Sequence, residues 1–373
     1  MKKASLLLED GSYFCVQAIG ANTEAVGELV FNTAMTGYEE VLSDPSYLGQ
    51  MVLFTTSYIG NTGITMEDLE SSHMYAEAIL CKNISVTPDN YRSKMSLEKF
   101  LQEKNKIALC GLDTRFLAQK IRDEGCLMAI CSTLDHDKNS LMEKLTHAST
   151  IKTDNQTARY VFSKERVQNT GNKKYKIAVI DFGIKQGILN SLHATDCEVV
   201  LFPYTASVAD IEAIQPDGLF FSNGPGDPKI LAEQSNILNV IYELSQKYPT
   251  FGICLGHQLI ALAYGENTVK LSHGHHAVNH PVKNLFPHGN EPQVYITSQN
   301  HNYVVELSHN IFEVTHVHLN DNTIAGIRHK HLPLFSVQFH PESNPGPHDA
   351  RNLFEEFIAA IKLNKESVYA KKN

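Results

Sequence analysis

Several features that mark other protein classes are missing from this 373-residue sequence. The apolar run near the N-terminus is only Leu6–Leu8 before Glu9 and Asp10, far short of the ~20 residues of a membrane-spanning helix or of a signal sequence. Positive charge is not in excess either, because the formal net charge is -9. We therefore expect no membrane segment, no secretory leader and no nucleic-acid partner, since phosphate binding needs clustered Lys and Arg.

Paired cysteines and a phosphate-binding loop are also absent. The seven cysteines are odd in number and scattered, with no C-x-x-C pair. This pattern favours reduced thiols in the cytoplasm over a disulfide framework or a zinc site. No G-x-x-x-x-G-K-[ST] motif occurs, which argues against a P-loop nucleotide site on this chain.

The length of the sequence and the change in the order of its strand-like and helix-like segments predict two domains. Residues 1–150 mix strand-like and helix-like segments without a strict alternation, which predicts a mixed α+β domain. Residues 151–174 are polar, and their last part has no helix or strand pattern, so we interpret them as a linker. From 175 to 373, apolar strands alternate with helices, which predicts an α/β domain with a mostly parallel sheet. Ligands of such sheets bind at the carboxyl ends of the strands.

The segment "FGICLGHQLIALAYG" (Phe251–Gly265) carries the strongest chemical signal. Cys254 lies between two glycines where an apolar strand gives way to a helix, which is the form of a nucleophile elbow with Cys in place of Ser. The helix N-terminus favours a thiolate there, and the amide of Leu255 is placed to stabilise an oxyanion. The alternative is a buried cysteine that packs as a small hydrophobic residue.

A nucleophilic cysteine needs a base, and the base needs an orienting group. The apolar run "LFSVQF" ends in His340-Pro341-Glu342, so Glu342 can fix the tautomer of His340. By itself H-P-E could be a surface turn. The loop "FFSNGPGDP" adds glycines whose bare amides can donate to a substrate carbonyl, although the same letters also suit a plain turn.

These three pieces, in this order, resemble the class I, triad-type glutamine amidotransferases. The resemblance covers about 176–363. It implies that Cys254 attacks the side-chain amide of glutamine, that His340 transfers the proton and that Glu342 orients it. The oxyanion would be held by the amides of Leu255 and Gly224.

Nearly the whole chain, including its N-terminal half, is similar to the small subunit of carbamoyl-phosphate synthase. The likeness rests on "VFNTAMTGYEEVLSDPSYLGQ", "IGNTG" and "GLDTRFLAQKIRDEG", and further on "DFGIK" and "HPESNPGPHDA". It implies that the chain supplies ammonia to a large-subunit partner, that residues 1–150 dock this partner and that ATP and Mg act there, with no cofactor on this chain. The product would feed pyrimidine or arginine biosynthesis. The implied glutamine pocket contains Ser46, Gly224, Gly226, Leu255, Gln258, Asn300, Asn302 and Tyr303.

One position of that pocket departs from the family pattern. The family commonly has Gly-Phe where this chain has Asn302 and Tyr303, and Asn tolerates the left-handed backbone that a Gly could adopt.

Four histidines, at 273, 275, 276 and 280, could suggest a metal site. No carboxylate or Cys lies at ligand spacing beside them, so we expect no metal and a hydrogen-bonded loop instead.

The alternatives that remain are a glutaminase of another pathway, a non-catalytic regulatory subunit and a free-standing thiol hydrolase. The N-terminal motifs argue against the first, and the intact Cys254, His340 and Glu342 argue against the second. A hydrolysis rate that is the same with and without the partner would favour the third.

Overall fold

The computed structural model describes residues 1–152, 167–168, 173–287 and 293–372. Most of the linker predicted at 151–174 lies outside these residues. No helix in the described part of the chain is both long and apolar enough to cross a membrane.

Contacts divide the chain into two compact units. The first comprises Met1–Thr157 with Ser272–Ala277, and the second comprises Ala158–Leu271 with Val278–Asn373.

The first unit is built around a closed barrel. Its strands are β1 Lys2–Leu8, β2 Tyr13–Gly20, β3 Glu24–Asn32, β4 Gln50–Phe54, β5 Tyr58–Ile59, β6 Ala78–Leu80, β7 Asn83–Ile84, β8 Ile107–Cys110 and β9 Leu127–Ser132. Its helices are α1 Tyr38–Ser43, α2 Leu97–Glu103, α3 Thr114–Glu124 and α4 Lys138–Lys152. The barrel order is β1-β2-β8-β6-β4-β3-β9, with parallel and antiparallel pairs mixed.

Alternation along each strand fills this barrel. One buried cluster takes Leu6 and Leu8 from β1, Met51 and Leu53 from β4, and residues from every other barrel strand. Leu7, which points the other way, packs against α4 instead. The chain opens with a hairpin, since β1 pairs with β2 in antiparallel register. The closure into a barrel was not predicted.

The second unit is a ten-stranded sheet covered by helices. Its strands are β10 Val167–Gln168, β11 Tyr175–Asp181, β12 Cys197–Pro203, β13 Gly218–Phe221, β14 Thr250–Ile253, β15 Asn267–Asn284, β16 Val294–Glu306, β17 Phe312–His318, β18 Ile324–His329 and β19 Leu334–Val337. Its helices are α5 Gln186–Ala194, α6 Val208–Glu212, α7 Pro228–Glu233, α8 Ile237–Ser245, α9 Leu255–Ala263 and α10 Asn352–Lys372.

The prediction of a mostly parallel sheet needs correction. Strands β12, β11, β13, β14 and β19 are parallel neighbours, but β18 and β17 continue the sheet in antiparallel pairs. The sheet is therefore mixed. The connections 319–323 and 330–333 are too short for a crossover, so β17, β18 and β19 can pair only as antiparallel neighbours; the alternation of strands with helices that predicted a parallel sheet does not extend to this region.

Both faces of the parallel part are buried, as its apolar strands require. Along β11, Ala178 and Ile180 belong to one core, which α8 and α9 cover. Ile177 and Val179 belong to the opposite core, which contains residues of α5 and α10. The parallel part of the sheet is thus packed on both faces. The loops at the carboxyl ends of its strands hold the predicted active-site residues.

Candidate active site

Cys254 occupies a strained turn between β14 and α9. Its backbone has φ 54° and ψ −104°, a left-handed φ that a residue with a Cβ rarely adopts. The side chain is 2% exposed, and its Sγ lies 3.5 Å from the carbonyl oxygen of Asn300. Leu255 is the first residue of the helix, so its amide has no acceptor within the helix and can serve a ligand.

The glycines of the elbow are required by close backbone approach. A Cβ on Gly256 would lie 2.2 Å from the carbonyl oxygen of Phe221, and the Gly256 amide donates to Ser222 O at 3.0 Å. A Cβ on Gly224 would lie 2.1 Å from the carbonyl oxygen of Phe182. The end of β13 and Ser222, which follows it, therefore lie against the start of α9, and Gly224 lies against the backbone of Phe182, just after β11.

His340 and Glu342 form a buried pair. Nδ1 of His340 lies 2.7 Å from Oε1 of Glu342, and both side chains are shielded from solvent. The His340 amide donates to Ser298 O at 2.9 Å, which fixes the backbone just after β19. Because Nδ1 faces a carboxylate, Nε2 is the ring nitrogen left for Cys254.

The charges of this pair are set by their contact with each other and with Lys185. Burial alone would lower the pKa of His340, but the Glu342 carboxylate, with help from the nearby Cys254 thiol, raises it to about 10. Burial alone would raise the pKa of Glu342, but the positive charges of Lys185 and His340 lower it to about 2. His340 is thus held as an imidazolium beside a carboxylate at neutral pH.

Lys185 is the component of the site that sequence reasoning missed. It is 2% exposed, and its Nζ donates to Glu342 Oε1 at 2.9 Å and to the carbonyls of Ser343 and Asn344 at 2.8 and 2.9 Å. Its amide donates to Asn223 Oδ1 at 3.2 Å. The available signal was the lysine of the segment "DFGIK", in the loop that follows β11, where ligand-binding loops of such sheets begin.

Part of the predicted glutamine pocket is assembled around α9 and β16. Gln258 lies one turn after Cys254, and its Nε2 donates to the carbonyl oxygen of Tyr303 at 2.8 Å. Asn300 contacts Cys254 through its own carbonyl. Asn302 is half-buried within the extended strand and does not have a left-handed φ, so the replacement of Gly by Asn causes no backbone strain.

Two other residues of the predicted pocket, Gly226 and Ser46, lie in loops or short turns outside α9 and β16. Gly226 has φ +95°, a left-handed conformation that suits glycine, and precedes α7. Ser46 belongs to the first unit, where it is buried in a short 3₁₀ turn and its amide donates to Asp44 Oδ1 at 2.9 Å.

The histidine-rich stretch is a strand, which corrects the prediction of a loop. Residues 273–280 lie within the 18-residue strand β15, which pairs with β17 further along, at Val282–Asn284. Nδ1 of His280 lies 2.9 Å from Nε2 of His318 on β17, and Nδ1 of His318 lies 3.0 Å from Asp321.

Comparisons with known proteins match both halves of the chain. Residues 178–360 match the family described as glutamine amidotransferase class-I, and residues 6–131 match the family described as carbamoyl-phosphate synthase small chain, CPSase domain. A carbamoyl phosphate synthase small chain from Syntrophotalea carbinolica is 45% identical over 382 residues, which cover 98% of this chain and 99% of that protein. One from Bacillus cereus is 44% identical over 367 residues, covering 98% and 97%. One from Bacillus caldolyticus is 44% identical over 368 residues, covering 98% of both.

Proposed function

The chain belongs to the family of carbamoyl phosphate synthase small chains, and we propose that it hydrolyses glutamine through Cys254, His340 and Glu342 and passes the ammonia to a large subunit. Glutamine hydrolysis itself follows from the family and from the amidotransferase domain. The observation that carries the assignment of residues is the 2.7 Å contact between His340 and Glu342, formed beside a cysteine in a strained elbow.

In the first step, Cys254 attacks as a thiolate, paired with the imidazolium of His340, and its sulfur forms a bond to the side-chain carbonyl carbon of glutamine. The carbonyl oxygen becomes an oxyanion, which the amides of Leu255 and Gly224 stabilise. His340, held protonated by Glu342, gives its proton to the departing amine, so that the C–N bond breaks and ammonia leaves. A glutamyl thioester remains on Cys254.

In the second step, a water molecule attacks the carbonyl carbon of the thioester. The neutral imidazole accepts a proton from the attacking water, the C–S bond breaks, and glutamate leaves with the thiolate regenerated. Glu342 keeps Nδ1 protonated in both steps, and the fixed carboxylate holds the ring with Nε2 toward the sulfur.

The glutamine pocket is proposed to comprise Ser46, Gly224, Gly226, Leu255, Gln258, Asn300, Asn302 and Tyr303. A zwitterionic amino acid needs directed polar partners at each charged end, and this set supplies amides and carbonyls. The contacts of Gln258 with Tyr303 and of Cys254 with Asn300 support the part of the set around the elbow.

We further propose that the partner is the large subunit and that the protein acts in the cytoplasm. The large subunit would carry the ATP and Mg chemistry, with no cofactor on this chain, and the first unit would dock it. All seven cysteines are free thiols, which supports a reducing, cytoplasmic location. Pyrimidine and arginine biosynthesis are the two routes that consume such a product.

Replacement of Cys254 by serine tests the proposal. In the complex with the large subunit, Cys254→Ser is expected to abolish synthesis of carbamoyl phosphate from glutamine and to leave synthesis from ammonium salt intact, because serine keeps the shape and loses the nucleophile. Loss of both activities would contradict the division of labour. Retention of glutamine hydrolysis would point to another nucleophile.

A further inference from the structure

We propose that Gln338 is a positioning residue of the glutamine pocket: it fixes the side-chain amide of Gln258 so that Gln258 Oε1 accepts a hydrogen bond from an N–H group of the substrate. This inference rests on the proposed function, since it concerns how glutamine is held beside Cys254.

Gln338 occupies an unusual place for an amide. It follows β19 directly and lies between Val337 and Phe339, both buried, with only 1% of its own surface exposed. Its backbone amide donates to Ala325 O at 2.9 Å, so the residue is anchored to β18 two positions before His340. Among the described residues its Nε2 has no hydrogen-bond partner. A buried N–H group without a partner lowers the stability of the fold, so an apolar residue of the same shape would be more stable here unless Oε1 makes a functional hydrogen bond.

The Oε1 atom of Gln338 is hydrogen-bonded to Gln258. Oε1 of Gln338 accepts a hydrogen bond from Nε2 of Gln258 at 3.1 Å. The same Nε2 donates to the carbonyl oxygen of Tyr303 at 2.8 Å. A backbone carbonyl can only accept, so the atom of Gln258 that faces Tyr303 must be the nitrogen.

Both amide hydrogens of Gln258 are thereby assigned. A primary amide has two N–H donors, and Tyr303 O and Gln338 Oε1 take one each. Rotation of the amide by 180° would set its oxygen against two other oxygens. The remaining polar atom, Oε1, can only accept, which selects a partner with N–H groups such as the ammonium or the amide of glutamine.

The removal of the Gln338 acceptor is the direct test. Gln338→Met keeps the length of the side chain and removes Oε1. The expected result is a rise of about tenfold in the KM for glutamine, the size of one lost hydrogen bond, with kcat within about twofold of the parent. Burial favours the neutral acid in Gln338→Glu, which keeps an acceptor oxygen at this position without adding a charge, and its KM is expected to stay within about threefold.

A double-mutant cycle separates this role from a general packing effect. If Gln338 acts through Gln258, Gln338→Met adds nothing to the KM of Gln258→Met. Gln246→Met is a matched control. Gln246 directly follows α8, and its Nε2 donates to the hydroxyl of Tyr264, so the KM of this variant is expected to be unchanged. Thermal melting and the rate of Cys254 alkylation by iodoacetamide check that the fold and the triad survive.

The possible outcomes are distinct. An unchanged KM in Gln338→Met, or effects of the two substitutions that simply add, would overturn the role of Gln338 while an inactive Cys254→Ser variant leaves the proposed function standing. An equal rise in KM for Gln338→Met and Gln338→Glu would also overturn it, since the acceptor would then not matter. Glutamine hydrolysis by Cys254→Ser would instead refute the proposed function itself.

Discussion

Lys185 and His340 share one acceptor: Nζ of Lys185 lies 2.9 Å and Nδ1 of His340 lies 2.7 Å from the same oxygen, Oε1 of Glu342. Two positive groups thus converge on one buried negative charge. The carboxylate is held ionised by both, and the lysine comes from a segment 157 residues away in the chain. The orientation of the base therefore depends on a residue outside the H-P-E motif.

The first prediction concerns the buried lysine. Lys185→Met leaves the Glu342 carboxylate with an incomplete set of partners, and we expect a loss of about 3–5 kcal/mol in the free energy of unfolding. The double variant Lys185→Met with Glu342→Gln removes the buried charge as well, so it is expected to be more stable than Lys185→Met alone. Denaturant unfolding measures both. A double variant that is the less stable of the two would refute the assigned role of Lys185.

The second prediction separates the base from its orienting group. His340→Asn is expected to lower kcat for glutamine hydrolysis by about 10²–10⁴-fold, because it removes the group that transfers the proton, and Glu342→Gln by less. In Glu342→Gln the pKa of His340 is expected to fall from about 10, since burial lowers it and the carboxylate is gone. The pH dependence of Cys254 alkylation reports that fall. The reverse ranking of the two variants would show that the roles are exchanged.

The third prediction concerns the elbow backbone. Gly256→Ala places a Cβ 2.2 Å from Phe221 O, so α9 must move away from β13. We expect a destabilisation of about 1–3 kcal/mol and slower alkylation of Cys254. Gly111→Ala is the control for a loss of stability outside the elbow: its φ of +83° strains an Ala although a Cβ there meets no atom within 4 Å, and alkylation of Cys254 is expected to stay as fast as in the parent. Alkylation that is as fast in Gly256→Ala as in the parent would show that the elbow tolerates a side chain there.

The fourth prediction concerns stability at acid pH. Burial lowers the pKa of His257 to about 3 and that of His316 to about 4. The unfolded chain binds these protons below about pH 6.5 and the folded chain does not, so stability must fall as the pH drops from 6.5 toward 4. Each histidine contributes about 1.4 kcal/mol per pH unit in that window.

The variant His257→Asn checks this dependence. It removes one of the two groups, so the slope of the unfolding free energy between pH 4 and 6 should decrease by about 1.4 kcal/mol per pH unit. Urea unfolding at several pH values gives the slope. A slope equal to that of the parent would mean that His257 is already protonated in the folded protein.

The local pattern of the sequence determined most of the elements of this protein. The β1–β2 hairpin, α2 and α3, and the alternation of strands and helices from β11 to α9 follow from periodicity and turn residues, which act over a few positions. The same holds for the turn at Cys254, because its neighbouring glycines are adjacent in the chain. The roles of Cys254, His340 and Glu342 stay predictions, although the geometry brings His340 and Glu342 into contact.

Tertiary structure alone decided what depends on contacts between distant segments. The closure of the barrel requires β1 to pair with β9, and the parallel part of the second sheet requires β14 to pair with β19. Neither pairing leaves a local mark, because the paired strands are far apart in the sequence and a strand presents the same apolar alternation to any neighbour. The contacts of Lys185 with Glu342 and of Gln258 with Gln338 arise in the same way: one charge and one amide are buried where only the folded chain supplies their partners.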